Sequence, residues 1–112
     1  MQIDERLVGD VKILDLTGKM TLGEGDELLR DKVNSLVHQG HKKLVLNLEG
    51  VPYIDSAGLG EIVRGHAALG EPGEKLRLLH ANERVRDLLT VAHLHPVVEM
   101  FDNEAAALAS FS

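Results

Sequence analysis

Two neighbouring residues, Asp55 and Ser56, have the clearest chemical potential, because they stand where an apolar run gives way to a helical pattern. The run within Lys43–Leu48 is typical of a strand that is covered on both faces. From Ala57 onwards the 3.6-residue spacing places Leu59, Ile62, Val63, His66 and Ala67 on one face, which indicates an amphipathic helix. A serine at such a helix entrance can cap the helix, act as a nucleophile or carry a modification. The function depends on which of these roles Ser56 has.

A serine hydrolase is the first alternative for Ser56, since its predicted position resembles a nucleophile elbow. That elbow has the pattern G-x-S-x-G, whereas the residue two before Ser56 is Ile54. A hydrolase also needs a base oriented by an acid, and His66 falls on the predicted apolar face of its own helix. We therefore expect no catalytic residues and no enzyme activity.

Metal and nucleotide sites are the next alternatives. The chain has six histidines and no cysteine, but it lacks a ligand pattern such as H-E-x-x-H. The segment Gly58-Leu59-Gly60 would need a third glycine at the position of Val63 to form a dinucleotide fingerprint, and no P-loop is present. We expect neither a metal nor a cofactor. The close histidine pairs are His38 with His41 and His93 with His95.

The bulk composition narrows the class of partner. The chain has 112 residues, of which 44% are hydrophobic and 27% charged, as expected for one soluble domain. A total of 18 acidic and 12 basic residues gives a net charge of −6, which disfavours nucleic-acid binding. No apolar run is long enough for a membrane span, and the start does not resemble a signal peptide. The absence of cysteine fits a reducing compartment such as the cytoplasm.

The alternation of strand and helix patterns predicts an α/β fold with right-handed crossovers. Gly9 and Asp10 form a two-residue turn signal, so the first two strands should pair as an antiparallel hairpin. The later strands should be mostly parallel, and Pro96 favours an edge position for the last one. We expect a mixed sheet of four to five strands: Gln2–Val8, Val11–Thr17, Lys43–Leu48, Lys75–His80 and Val97–Phe101.

About four helices should pack on this sheet. Thr21 and Glu24 have capping-box spacing for the first helix, and Asn82 and Asp102 are the expected caps of the third and fourth. Leu108 should be the main apolar anchor of the last helix. The expected helices run from near Thr21 to Gly40, from about Ala57 to Leu69 before Gly70 and Pro72-Gly73, through Val85–Ala92, and from Asp102 to about Ala109.

The outer face of the second helix consists mostly of small residues, namely Ala57, Gly60, Arg64 and Ala68. Gly60 and Gly65 each cost a helix about 1 kcal/mol relative to alanine. Such a cost indicates a steric reason. Close approach of a partner's backbone and tight packing within this chain both remain open.

The segment IDSAGLGEIV, which follows LVLNLEGVPY, closely resembles the phosphorylation site of anti-sigma factor antagonists, which are stand-alone STAS domains of bacterial signalling. The family pattern is an apolar strand and then Asp-Ser-(Ser/Thr)-Gly-(Leu/Val)-Gly at the start of a helix. The resemblance covers nearly the whole chain and implies a single STAS domain over residues 1–112. Matching positions are Asp55, Ser56, Gly58, Leu59 and Gly60, together with Leu16-Thr17-Gly18 and Asn82, Val85, Leu88 and Leu89.

The resemblance implies a partner and a switch. The partner is an anti-sigma factor that is also a serine kinase and supplies ATP. The unphosphorylated chain binds it and so releases a sigma factor, phosphorylation of Ser56 ends the binding, and a serine phosphatase restores it. The partner-binding residues implied in this way are Asp55, Ser56, Ala57, Gly58, Gly60, Glu61, Arg64 and Thr21.

The chain departs from the family pattern at two positions. Ala57 replaces the Ser or Thr that often follows the modified serine, which removes an alternative acceptor. Many members have an acidic residue soon after Leu16-Thr17-Gly18, whereas here Lys19-Met20-Thr21 follows. We expect Thr21 in place of that acid to weaken phosphorylation or the partner contact.

A second reading is a STAS scaffold or adaptor that binds another signalling partner without phosphorylation. The two readings differ in whether a cognate kinase modifies Ser56.

Overall fold

The fold is built on one five-stranded sheet. A computed structural model of the chain describes residues 1–69, 76–92 and 98–111. The strands are β1 (Gln2–Val8), β2 (Val11–Thr17), β3 (Leu44–Gly50), β4 (Leu76–Leu79) and β5 (Glu99–Phe101), and the helices are α1 (Asp26–His38), α2 (Ser56–Ala68), α3 (Glu83–Val91) and α4 (Glu104–Ala109).

The sheet has the order β1-β2-β3-β4-β5. β1 and β2 form the predicted antiparallel hairpin, in which Gly9 has a positive φ of 62° that suits a two-residue turn. The pairs β2–β3, β3–β4 and β4–β5 are parallel. The prediction of a mixed, mostly parallel sheet with β5 at its edge is therefore confirmed.

Three strands differ from their predicted bounds. β3 spans Leu44–Gly50 instead of Lys43–Leu48. His80 was expected within β4, but its φ of 57° lies in the left-handed region, so the strand ends at Leu79. The described part of β5 begins at Glu99. Lys75, Pro96 and Val97, which the sequence placed at the starts of these strands, lie outside the described residues, as do Gly70 and Pro72-Gly73 after the second helix.

The crossovers explain how the helices cover the sheet. Each parallel connection moves one strand further in the same direction, and right-handed crossovers in one direction bring α1, α2 and α3 to one face. Side chains of these helices share a core with the leucines of β2, β3 and β4 that point to that face. α4 covers the opposite face through Ala107, which packs with Ile13, Val45 and Leu79.

The start of α1 differs from the prediction. The helix begins at Asp26 rather than near Thr21, and no side chain caps it. Gly23 has a φ of 78°, and the amide of Gly23 donates to Asp26 Oδ1 at 2.8 Å, so the chain turns here instead of continuing as a helix. A Cβ on Gly25 would lie 2.8 Å from the carbonyl oxygen of Lys19, which keeps this turn close to the preceding segment.

The other caps agree in part with the sequence. The Asn82 side chain caps α3 by accepting from the amide of Val85 at 2.9 Å, as predicted. The cap of α4 is Asn103 and not Asp102, because the Asp102 carboxylate pairs with Arg86 instead. The buried residue of α4 is Ala107, and Leu108 is only partly buried. Within the described ranges, no helix has both the length and the apolar character to cross a membrane.

Leu46 tests the prediction that β3 is covered on both faces. Its side chain is 1% exposed and belongs to the core that the three helices cover. We expect Leu46→Ala to lower the free energy of unfolding by about 2–5 kcal/mol, measured by denaturant titration. Leu7→Ala is the matched control, since Leu7 is 58% exposed on β1. Equal midpoints for the two variants would contradict the buried position of β3.

Candidate functional site

The connection between β3 and α2 is held against the segment that follows β2. The amide of Met20 donates to the carbonyl oxygen of Tyr53 at 3.1 Å, and the amide of Asp55 donates to that of Met20 at 3.4 Å. Met20 and Ile54 thus form an isolated parallel bridge, and both side chains are buried. These contacts continue the β2–β3 pairing to the carboxyl edge of the sheet, where α2 begins.

Asp55 is the N-cap of α2. Its Oδ1 atom accepts from the amide of Gly58 at 3.0 Å, and its Oδ2 atom accepts from the amide of Leu22 at 3.0 Å. The helix therefore begins at Ser56, one residue before the predicted start at Ala57. The cap is Asp55, so the hypothesis that Ser56 caps the helix is wrong. The charge of a carboxylate at this position also interacts favourably with the helix dipole.

The electrostatics of this cap follow from the two amides. The hydrogen bond from the Leu22 amide, together with the one from Gly58, holds the pKa of the Asp55 carboxyl below its ordinary value. Amide donors favour the charged form of a carboxyl group. Asp55 is thus a carboxylate at neutral pH, directly beside the hydroxyl of Ser56.

Gly58 permits the close approach of two backbones. A Cβ at this position would lie 2.1 Å from the carbonyl oxygen of Met20, a distance that no real contact allows. The same carbonyl accepts from the amide of Asp55, so it cannot move away without loss of the bridge. Gly58 therefore supports the site from within, although it was predicted among the partner-binding residues.

The outer face of α2, which was predicted to consist mostly of small residues, is largely exposed. Ser56, Gly60, Arg64 and Ala68 are exposed, and Ala57 is half-buried. The predicted apolar face is wrong at Val63, which is 40% exposed, and at Ala67, also exposed. The helix buries instead a face rotated toward α1, which comprises Gly58, Glu61, Ile62 and Gly65.

The two glycines that the sequence singled out have different surroundings. A Cβ on Gly65 would lie 3.4 Å from Val33 Cγ1 on α1, so this glycine fits close packing within the chain. A Cβ on Gly60 would meet no atom within 4 Å. No described residue explains Gly60, and the alternative of a partner's backbone remains for this position alone.

Glu61 is separated from the exposed predicted residues. Its side chain is 8% exposed and lies between two arginines, with Oε1 3.7 Å from Arg30 Nη1 and Oε2 3.7 Å from Arg64 Nε. Buried carboxylates need such cationic neighbours to remain charged. The structure thus places Glu61 in the contact between α1 and α2, where it anchors the exposed Arg64.

Thr21 lies beside the helix entrance. It stands between Met20, whose carbonyl binds the Asp55 amide, and Leu22, whose amide binds the Asp55 carboxylate. The structure therefore brings Thr21 next to Asp55 and Ser56, as the resemblance implied. Its side chain is half-buried.

Two exposed apolar side chains near this entrance were missed in the sequence. Leu22 is 74% exposed, and Tyr53 is 42% exposed. Large exposed apolar groups beside a functional residue are typical of interaction sites. No sequence signal indicated their exposure, because Leu22 fell within the expected first helix and Tyr53 within the connection before Ser56. With the exposed residues of α2 they form what we call the contact surface: Leu22, Tyr53, Ser56, Gly60, Val63 and Arg64.

The described residues contain no group of three or more histidine, cysteine, aspartate or glutamate side chains that could hold a metal ion. His93 and His95 lie outside the described residues. The expectation that the chain binds no metal stays a prediction.

Comparison with known proteins agrees with the resemblance seen in the sequence. The family model of the STAS domain matches residues 2–107. A solved structure of a candidate anti-sigma factor antagonist from Thermotoga maritima has a TM-score of 0.90 at 26% identity, covering 97% of this chain and 93% of that chain. The predicted STAS-like α/β fold is therefore confirmed.

The chain matches two curated relatives over most of their lengths. The anti-sigma F factor antagonist of Paenibacillus polymyxa is 25% identical over 108 residues, which cover 96% of this chain and 92% of the relative. A candidate anti-sigma factor antagonist of Thermotoga neapolitana is 28% identical over 103 residues, which cover 92% and 91% of the two chains.

Gly58 and Gly60 offer a matched test of the site's backbone. We expect Gly58→Ala to destabilise the chain strongly, because its Cβ would overlap the Met20 carbonyl oxygen. Gly60→Ala should raise stability by about 0.5–1 kcal/mol, since alanine is the better helix former in open space. Thermal midpoints measured by circular dichroism give both values. Equal shifts would contradict the close approach of Met20 to α2.

The Asp55 cap should make stability depend on pH. Because the folded-state pKa of Asp55 is lowered, its contribution is present above the unfolded pKa and is lost as pH falls through the folded pKa. We expect Asp55→Ala to lower the denaturant midpoint near neutral pH, and this difference from the unmodified chain should shrink toward about pH 2. Asp55→Asn keeps one oxygen acceptor, so its denaturant midpoint should lie between those of Asp55→Ala and the unmodified chain. A difference that is constant with pH would contradict the cap.

Proposed function

We propose that this chain, which belongs to the STAS domain family, is a phosphorylation-switched antagonist of an anti-sigma factor. In the unphosphorylated state it binds an anti-sigma factor that is also a serine kinase, and a sigma factor is released. Phosphorylation of Ser56 ends this binding, and a serine phosphatase restores it. The chain itself is a binding partner and a phosphoryl acceptor, not an enzyme, and requires no cofactor. Its relatives that are named as anti-sigma factor antagonists support the general role.

The observation that carries the proposal is the exposed hydroxyl of Ser56 on a fixed backbone. Asp55 takes the capping role, so the Ser56 side chain forms no hydrogen bond with the described residues. The backbone around it is held by the Asp55 carboxylate and by the bridge between Met20 and Ile54. An acceptor that is exposed and already oriented loses little entropy when a kinase binds it.

The transfer requires a kinase that carries ATP. The Ser56 oxygen attacks the γ-phosphorus, the bond between that phosphorus and the β,γ-bridging oxygen breaks, and ADP leaves. The hydroxyl proton passes to a base of the kinase. This chain contributes the acceptor and the contact surface. Its Ala57 provides no second hydroxyl beside the acceptor, so the phosphate should be confined to Ser56.

The phosphate acts at the interface and not on the fold. It adds a charge of about −1.5 to −2, and at a helix N-terminus this charge stabilises the helix by about 0.3–1 kcal/mol. A hundredfold loss of affinity needs only about 2.8 kcal/mol. Phosphate beside the Asp55 carboxylate, facing a surface that had matched a neutral hydroxyl, is sufficient for an effect of that order through desolvation and repulsion.

The contact surface agrees with a protein partner. Leu22, Tyr53 and Val63 supply apolar area, and Gly60 allows a partner's backbone to approach α2. Thr21 lacks the charge that many family members have nearby, so we expect the kinase step to be slower here. The net charge of −6 disfavours nucleic acid as a direct partner.

Ser56 variants test the switch. Ser56→Ala should fold with a change in unfolding free energy within about 0.5 kcal/mol, because the side chain is exposed and does not cap the helix. It should bind the cognate anti-sigma factor and resist inactivation by that partner with ATP. Ser56→Glu should also fold, since an acid suits the first turn of a helix, but should bind weakly. Titration calorimetry measures the affinities.

Phosphate mapping by mass spectrometry, after incubation with the cognate kinase and ATP, completes this test. We expect phosphate on Ser56 and none on Ser56→Ala. Phosphate found only elsewhere, or equal affinities for the unmodified chain and Ser56→Glu, would reject the switch. Partner binding without phosphorylation would then favour the scaffold reading.

A further inference from the structure

A groove runs from the start of α2 to α3 and includes the candidate phosphorylation site. Its volume is about 540 Å³. Ser56 lies on one wall, and the polar residues along it are Asp55, Arg84 and Asp87. The walls are otherwise mostly apolar and comprise Tyr53, Ile54, Leu59, Val85, Leu88 and Val91. A phosphate on Ser56 would therefore stand at a groove that has one basic side chain among its described lining residues.

Arg84 is that basic residue. It is exposed on the first turn of α3, and its guanidinium carbon lies 6.0 Å from the centre of the Tyr53 ring. This distance is the outer limit of a cation–π contact, so the interaction holds the side chain only weakly. Tyr53, Ser56 and Arg84 all line the same groove.

Arg84 differs from the other arginines in its partners. Each of the other five is within 4.0 Å of a carboxylate oxygen, whereas Arg84 forms no ion pair with the described residues. A cation in the first turn of a helix is also opposed by the helix dipole. Asp87 is three residues further along α3, but its carboxylate is not within 4.0 Å of the Arg84 guanidinium, so no ion pair within α3 holds this arginine. The paired arginines are Arg6, Arg30, Arg64, Arg77 and Arg86.

We propose that Arg84 is the internal counter-ion of a phosphate on Ser56. The inference rests on the proposed function, because it concerns the phosphorylated state of that site. A guanidinium presents a planar fork of donors that matches two phosphate oxygens, so a phosphate monoester is a better partner for Arg84 than the ring of Tyr53. On phosphorylation the guanidinium leaves the ring and pairs with the phosphate across the groove.

The charges around the groove explain why such a cation is needed. Asp55 and Asp87 face the same groove and repel a dianion on Ser56, whereas Arg84 attracts it. The paired side chains also span the mouth of the groove. Phosphorylation then changes the partner-binding face in two ways: it adds charge, and it covers apolar walls that the partner could contact.

The ionisation of the phosphate tests the pair directly. Phosphoserine is installed at position 56 during translation, so no kinase is required. Phosphorus NMR then follows the second ionisation of the phosphate with pH. We expect Arg84→Gln to raise this pKa by about 0.2–0.7 units, the range for an exposed ion pair. Arg86→Gln is the matched control: it removes the same charge from the same helix, but Arg86 pairs with Asp102. Arg86→Gln should therefore leave the second pKa of the phosphate unchanged.

Tyr53 provides a second readout. The chain has one tyrosine and no tryptophan, so intrinsic fluorescence reports the surroundings of Tyr53 alone. We expect installed phosphate to change this fluorescence in the chain with Arg84 and to change it less in Arg84→Gln. Circular dichroism of each variant verifies that the fold is retained.

The outcomes separate this inference from the proposed function. Equal phosphate pKa values for the unmodified sequence and Arg84→Gln would overturn the pairing. The same holds if Arg84→Gln weakens partner binding by the unphosphorylated chain without moving the pKa, because Arg84 would then be a partner contact. Failure of a cognate kinase to modify Ser56 would instead contradict the proposed function, and the pKa comparison would still decide whether the pair forms.

Discussion

The site depends on one carboxylate that two separate backbone segments share. Asp55 accepts from the amide of Gly58 within α2 and from the amide of Leu22 in the segment after β2. The first bond begins the helix at Ser56, and the second ties the helix entrance to a neighbouring strand connection. The bridge between Met20 and Ile54 joins the same two segments through their backbones, and the carboxylate adds a side-chain link to the amides of Leu22 and Gly58. The two amide hydrogen bonds hold the pKa of this carboxyl below its ordinary value, so its charge persists further into the acid range.

This arrangement suits a site that is modified and not one that carries out chemistry. The Met20 carbonyl approaches α2 so closely that only glycine fits at position 58, and that contact leaves the backbone beneath Ser56 little room to move. The hydroxyl itself is exposed and takes no part in the cap. A charge can therefore be added to Ser56 with little effect on the fold, while the charge of the contact surface changes greatly.

The sequence predicted the sheet well because its signals are local and strong. Apolar runs, the Gly9-Asp10 turn and strand–helix alternation were sufficient for the antiparallel hairpin, the mostly parallel pairing of the later strands and the edge position of β5. Helix starts were less predictable, since neighbouring Asp, Ser and Asn residues can all cap. At the entrance of α2 and at α4 the choice fell one residue away from the expected one, as tertiary contacts decided it.

Of the candidate site, the sequence identified Asp55, Ser56 and Thr21, which the structure brings together. It did not reveal that Glu61 is buried by α1 or that Val63 is exposed. Both depend on the rotation of α2 about its axis, which follows from the close contacts of Gly58 with Met20 and of Gly65 with Val33. The spacing of apolar residues cannot predict this rotation, because the buried face of α2 includes two glycines and a glutamate.

The central claim is that a phosphate on Ser56 controls binding to an anti-sigma factor. The most direct measurement compares the dissociation constants of two forms of this chain, one unmodified and one with phosphoserine installed at position 56, for the same cognate anti-sigma factor. The account predicts that the phosphate weakens binding by about a hundredfold, corresponding to about 2.8 kcal/mol, while the thermal midpoint of the free chain stays nearly constant. Equal dissociation constants for the two forms would contradict it.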